Sequence, residues 1–416
     1  MTSARSRQSD ETRSSVSAGE PVQRRVRYRK IVDAAFDCLA VGEFDRIKID
    51  DVARAAGLAK ATLYRYFPSK DSLYAVVLRE WVDANHLRAS TAVGPERARI
   101  RAHAMITAFA ESPQFFRLAV TLFSSSDPVV KSELLDVGAR THRYFHDDFI
   151  DSTRVAPRDA AVIMQAIVHA AVMASVYHGA AFADAHHLVD QMIRLSVGDP
   201  ISPVTGDHKV NSDAGAPVAA ELPTFKQRRR RRIVECAREA LRENSYEQIH
   251  VTNIARDADI SLGTLYRYFP SKEAVYAEVI RDWFTHSGVI ANRDDLRPEA
   301  RVSARVRAAL DAFEADPEFF RVNVLLYSIG DERVQAVLGE VIATARETLL
   351  RDLSAVRVPS AGDAATMLWA LIGSLTTGVI SYGGNFPEVR RVMEVFIALL
   401  VASADGRAGD ERGFSP

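Results

Sequence analysis

The sequence predicts an all-α chain made of two tandem copies of one helical unit. Three observations carry this prediction. The nonapeptide TLYRYFPSK occurs at Thr62–Lys70 and again at Thr264–Lys272, an offset of 202 residues. At that offset, 24 of the 55 positions from Arg27/Arg229 to Trp81/Trp283 are identical without a gap. Apolar residues recur at helical spacing, as in Ile31, Ala35 and Leu39 and in Ile233, Ala237 and Leu241, and no run alternates with period two over a convincing length.

In the first copy the pattern predicts helices over 29–41, 50–56, 60–66, 69–90, 96–110, 113–125, 128–153, 158–178 and 186–197. Pro95, Pro113, Pro128 and Pro157 fall at or near helix starts, where the missing N–H costs nothing. The second copy repeats the scheme at an offset of 204: Pro113–Arg117 matches Pro317–Arg321, and Met164–Gly179 aligns with Leu368–Gly383. The expected organisation is a disordered basic arm (1–23), a helix-turn-helix domain (24–82) and a helical regulatory domain (83–198). A Pro/Gly/Ser-rich linker (199–225) follows, then a second helix-turn-helix domain (226–284), a second regulatory domain (285–404) and a flexible tail (405–416).

Composition narrows the function. Of 416 residues, 47% are hydrophobic and 26% charged, as in ordinary soluble globular proteins. The net charge of −1 excludes a histone-like polycation. Charge is segregated, however: residues 24–81 hold 12 Lys and Arg against 8 Asp and Glu, and residues 226–283 hold 12 against 9. A phosphate-binding face requires such a concentration. Two cysteines exclude a disulfide scaffold and a Cys-based zinc site. The first 20 residues lack an apolar signal-peptide core, and the most apolar run, Met367–Ile380, is too short and too hydroxylated for a membrane span. A cytoplasmic protein without membrane contact is expected.

Asp50–Phe67 reads as a short helix, a turn at Gly57 and a second short helix. Val52, Ala53, Leu58, Leu63 and Phe67 fall inward and leave Lys60, Thr62, Tyr64 and Tyr66 outside. This is the sequence form of a helix-turn-helix, whose second helix enters a major groove. In the second copy Asp259 replaces Gly57, and Asp tolerates the left-handed conformation better than most residues.

From the first helix through LYRYFPSK into the next helix, both copies resemble the TetR-type transcriptional regulators. The resemblance covers about 55 residues of each copy and implies a ligand-responsive repressor of a double-stranded DNA operator. Carried over by position, Thr62 and Thr264 would meet phosphate or a base edge, Tyr64 and Tyr266 thymine methyls or phosphate, and Tyr66 and Tyr268 phosphate. Lys70 and Lys272 would meet phosphate. Thr252 fits a position where the family often carries a basic or hydroxyl residue, and Asp50 departs from that pattern. Lys60 and Leu262 hold a position that can reach bases, with Ser261 and Gly263 flanking the latter. The basic runs Arg24–Lys30 and Lys226–Arg232 would lie along a groove or backbone.

The resemblance also implies an effector cavity in each regulatory domain. Met105, Phe109, Phe116, Phe123, Met164 and Tyr177 would line the first, and Phe313, Phe320, Trp369 and Tyr382 the second, for a small apolar or aromatic effector. Ala166, Ala170 and Ala174 recur every four residues, matched by Ala370, Ser374 and Gly378. This small-residue stripe, in the helix that pairs subunits in the family, predicts an internal pseudo-dimer of the two copies and leaves further self-association open. The pair His142 and His146 has no identifiable third ligand, so neither metal nor cofactor is expected, and no catalytic constellation is present. The competing reading is a ligand-binding or scaffold protein with one degenerate DNA reader.

Overall fold

The computed structural model describes residues 22–86, 91–123, 125, 127–199, 224–327 and 329–410. Within them the chain is helical and contains no strand. It divides into two compact units, residues 1–89 with 107–140 and residues 90–106 with 141–416.

The first unit opens with α1 (Val22–Val41), a 3-10 turn (Phe44–Arg46), α2 (Ile49–Ala55), α3 (Lys60–Tyr64) and α4 (Lys70–His86). It also contains α6 (Pro113–Phe123), while α5 (Gly94–Glu111) and α7 (Pro128–Asp148) contribute residues to both units. The apolar stripe Ile31, Ala35 and Leu39 of α1 is fully buried against α2 and α4, together with Val52, Leu63, Leu73 and Val77. Trp81 of α4 stacks on Phe115 of α6 at 4.6 Å between ring centroids.

The second unit contains α8 (Pro157–His178), α9 (Phe182–Val197) and the second copy. That copy comprises α10 (Thr224–Glu243), a 3-10 turn (Tyr246–Gln248), α11 (Val251–Asp257), α12 (Leu262–Tyr268), α13 (Lys272–His286), α14 (Pro298–Ala315), α15 (Pro317–Tyr327), α16 (Glu332–Val356), α17 (Ala361–Tyr382) and α18 (Phe386–Asp410). α10 packs on α11 and α13, as α1 packs on α2 and α4. A buried ion pair, Arg305–Asp352 at 2.6 Å, ties α14 to α16, and Arg101–Asp148 at 2.9 Å repeats it one copy earlier.

Helices α8, α9, α17 and α18 pack together. α8 and α17 are long and apolar enough to cross a membrane, yet they lie against each other. Arg391 of α18 holds the buried Asp159 of α8 through two hydrogen bonds, of 2.8 and 2.5 Å. His187 of α9 meets Asp363 of α17 at 2.8 Å. The positions correspond at the offset of 204, 159 with 363 and 187 with 391, so the two pairs are one contact made in both directions.

Several boundaries differ from the sequence reading. α1 begins at Val22, inside the expected arm, and α10 begins at Thr224, inside the expected linker, so both basic runs are the first turns of helices. α18 continues to Asp410, past the expected tail start, because no proline interrupts the chain after Pro387 until Pro416. Residues 1–21, 200–223 and 411–416 lie outside the described residues.

Candidate nucleic-acid interface

α2 and α3 form the first helix-turn-helix, and α11 and α12 the second. Gly57 takes φ +67° at the first turn and Asp259 takes φ +54° at the second, so the substituted turn keeps its left-handed geometry. Leu63 and Leu265 are fully buried, and Phe67 and Phe269 nearly so. These anchors fix the rotation of α3 and α12 and turn the next residues outward. Tyr64 and Tyr266 are 42% and 45% exposed, and Lys60, Leu262, Ser261, Gly263 and Thr252 are exposed. Thr62, Tyr66, Thr264 and Tyr268 are half-buried at the edge of the same face.

The two faces differ in what holds them. Ser261 caps α12: its Oγ accepts from the Thr264 N–H at 3.2 Å and lies 2.9 Å from Thr264 Oγ1. Ala59, at the same place before α3, has no capping side chain. Ser261 and Thr264, expected to meet DNA, are thus bonded to each other in the free protein. Lys60 Nζ lies 2.9 Å from Asp50 Oδ1, and this bond raises the lysine pKa above its ordinary value. Thr252 and Leu262 leave the second copy without that pair.

Lys70 and Lys272 have partners within their own domains. Expected on phosphate, both ammonium groups turn back onto their own domain. Lys70 Nζ donates to the Phe44 carbonyl at 2.5 Å and sits 4.0 Å from the centre of the Phe44 ring. Lys272 repeats this on Tyr246, at 2.5 and 3.9 Å. Partial burial lowers the pKa of both. The basic runs are also partly engaged: Arg29 pairs with Asp33 and Glu80, and Arg230 pairs with Glu278 and lies over the Phe269 ring. Sequence reasoning missed these partners. The aromatic at 44 and 246 in both copies was the available signal.

Among the residues expected to line cavities, Phe313 packs edge-on against Phe320 at 4.7 Å, and Trp369 against Phe284 at 6.0 Å. In the first unit Phe109 contacts Phe116 at 5.3 Å, with Phe123 half-buried. Met105 and Met164 are buried in the second unit, where Tyr177 is half-buried. The side chain of Tyr382 lies outside the described residues. In the expected pairing stripe Ala166 is buried, Ala170, Ala174, Ala370 and Ser374 are half-buried, and Ser374 Oγ lies 3.2 Å from His169 Nδ1. A Cβ added at Gly378 would meet nothing within 4 Å.

Fold and face together define a tandem helix-turn-helix protein. The model of the family described as "Bacterial regulatory proteins, tetR family" matches residues 31–77 and 233–279. The HTH-type transcriptional repressor KstR of Mycobacterium tuberculosis is 43% identical over 126 residues, 29% of this chain and 57% of KstR. The mycofactocin biosynthesis regulator MftR of the same organism is 44% identical over 43 residues, 10% of this chain and 22% of its own. RutR of Escherichia coli K12 is 38% identical over 55 residues, 13% and 26%. The chain therefore spans from about a fifth to just over half of these relatives. A crystal structure of a TetR regulator from Rhodococcus sp. RHA1 superposes with a TM-score of 0.36 at 22% identity, over 42% of this chain and 98% of its own. The chain carries two copies of this family's helix-turn-helix domain in tandem.

Proposed function

We propose that this chain is a ligand-responsive transcriptional repressor whose two helix-turn-helix domains read the two halves of one DNA operator. The observation that carries the reading is the reciprocal contact Arg391–Asp159 and His187–Asp363. In a symmetric dimer residue i meets j and j meets i. Here one chain supplies both sides, so the two copies form an internal pseudo-dimer. The exposed Tyr64 and Tyr266 belong to its two readers. Repression, rather than activation, follows the relative named a repressor. The aromatic pairs Phe313–Phe320 and Trp369–Phe284 suit a small apolar or aromatic effector. Such an effector lowers DNA affinity if it binds the non-DNA state better, with coupling of about 1–3 kcal/mol. The setting is cytoplasmic.

A mobility-shift titration on the duplex upstream of its own gene, with solution mass of the complex, tests this. One chain per operator is expected, with affinity falling steeply with salt. The second reading, a ligand-binding or scaffold protein with one degenerate reader, is favoured by the acidic Asp50 on the first face. It takes over if no duplex is bound, or if only one half-site contributes.

A further inference from the structure

The Asp50–Lys60 pair has the form of a base-pair reader. Both side chains are about half exposed, 54% and 50%, and sit at the first turns of α2 and α3. In a helix-turn-helix the N-terminal residues of the second helix contact base edges while the first helix crosses the backbone, and the ion pair with Lys60 holds Asp50 at that base-facing end. We infer that Asp50 and Lys60 together read one G·C base pair, guanine by Lys60 and cytosine by Asp50, in the half-site of the first copy alone. The inference rests on the DNA-binding reading above and adds to it the base pair and a second specificity residue.

Spacing and polarity both fit. Lys60 Nζ and Asp50 Oδ1 are 2.9 Å apart. In a G·C pair the guanine O6 and the cytosine N4 are themselves hydrogen-bonded, hence about 2.9 Å apart. The major-groove edge offers the ammonium two acceptors, O6 and N7, and offers the carboxylate one donor, N4–H2. An A·T pair presents its single donor between two acceptors, so the carboxylate gains one contact and faces repulsion on either side. In the second copy Thr252 and Leu262 carry no charge, and Leu262 is limited to apolar contact such as a thymine methyl.

Selection from random duplexes tests this with the full chain, as wild type, as Asp50→Ala and as the double variant Asp50→Thr, Lys60→Leu. Wild type should recover an imperfect palindrome with G·C at one position of one half-site. Asp50→Ala should still favour guanine but lose roughly tenfold of its discrimination against the other pairs. The double variant, which carries the second reader's residues at these two positions, should recover a more symmetric site. Three results overturn the proposal while the DNA-binding reading stands: a perfect palindrome from wild type, unchanged stringency in Asp50→Ala, or a uniform affinity gain for every duplex in Asp50→Ala, which makes Asp50 a mere phosphate repellent. A wild type that selects no sequence overturns both. Since both side chains are exposed, thermal unfolding should be alike in all three proteins.

Discussion

Arg391 and Asp159 lie 232 residues apart in sequence and form a bidentate ion pair between α18 and α8. Asp159 is only 5% exposed. Removing Arg391 leaves a carboxylate facing a shielded site without its main partner, a change that costs about 3–5 kcal/mol at fully buried pairs. Arg391 itself is 44% exposed, so solvent offsets part of that loss. Arg391→Ala should cost about 2 kcal/mol of unfolding free energy in urea, and Arg391→Lys less. A change under about 0.5 kcal/mol would reduce the pair to a surface contact.

His169 gives the same region an acid limit. It lies on α8 with Nδ1 on Ser374 of α17, and its Nε2 is shut off from solvent. Burial lowers its pKa from 6.5 to about 4. The native state therefore keeps the imidazole neutral while an unfolded chain takes up a proton below pH 6.5. The sign follows: this contribution is complete above pH 6.5, is lost as pH falls toward 4, and amounts to at most about 3 kcal/mol. Urea midpoints at pH 7.5 and 4.5 should diverge in wild type and converge in His169→Gln. Equal divergence in the variant would assign acid sensitivity elsewhere.

The two helix-turn-helix turns form an internal control. Gly57 and Asp259 occupy one left-handed position, at φ +67° and +54°. Asp259→Gly should stabilise the second domain by up to about 1 kcal/mol, since glycine adopts this φ without strain. Gly57→Ala should destabilise the first by about 1–2 kcal/mol, although open space surrounds the added Cβ. Calorimetry of the single variants reads both signs. A stabilised Gly57→Ala would mean that the turn refolds.

Much of this was legible because periodicity and burial are local. Ile31, Leu39 and Leu63 announce their inward faces by spacing alone, and the repeat fixed the tandem organisation. Asp259 disclosed its left-handed backbone by standing where the other copy has Gly57. The small-residue stripes of α8 and α17 stand in the sequence, but the atoms that join these helices do not. Asp159 and Arg391 are far apart in sequence, and nothing local says that they meet. The offset of 204 does align two acids, 159 with 363, and two bases, 187 with 391, a signal visible only once a reciprocal contact is sought. The hydrogen-bond partner of the lysine in each YFPSK motif escaped the sequence for a related reason. A charge beside a recognition helix suggests phosphate, whereas its partner is a backbone carbonyl that no sequence displays.

That lysine allows a decisive comparison. Lys70 donates to the Phe44 carbonyl and covers the Phe44 ring, and Lys272 treats Tyr246 alike. Each bond joins the first turn of α4 or α13 to the 3-10 turn that precedes the helix-turn-helix. A charged donor on a carbonyl contributes about 1.5–3 kcal/mol, and the ring contact adds about 0.5–1 kcal/mol at exposed sites. Both lysines remain partly exposed, so Lys70→Ala or Lys272→Ala should cost about 1–2 kcal/mol of stability. If DNA binding holds, the salt slope of log affinity should then stay unchanged, because no phosphate contact has been removed. A lysine that does bind phosphate would behave in the opposite way: stability would hold, and the slope would flatten by about 1. Lys70→Met separates the contributions further, since it keeps contact with the ring but cannot donate. It should recover part of the stability lost in Lys70→Ala while leaving the salt slope where it was.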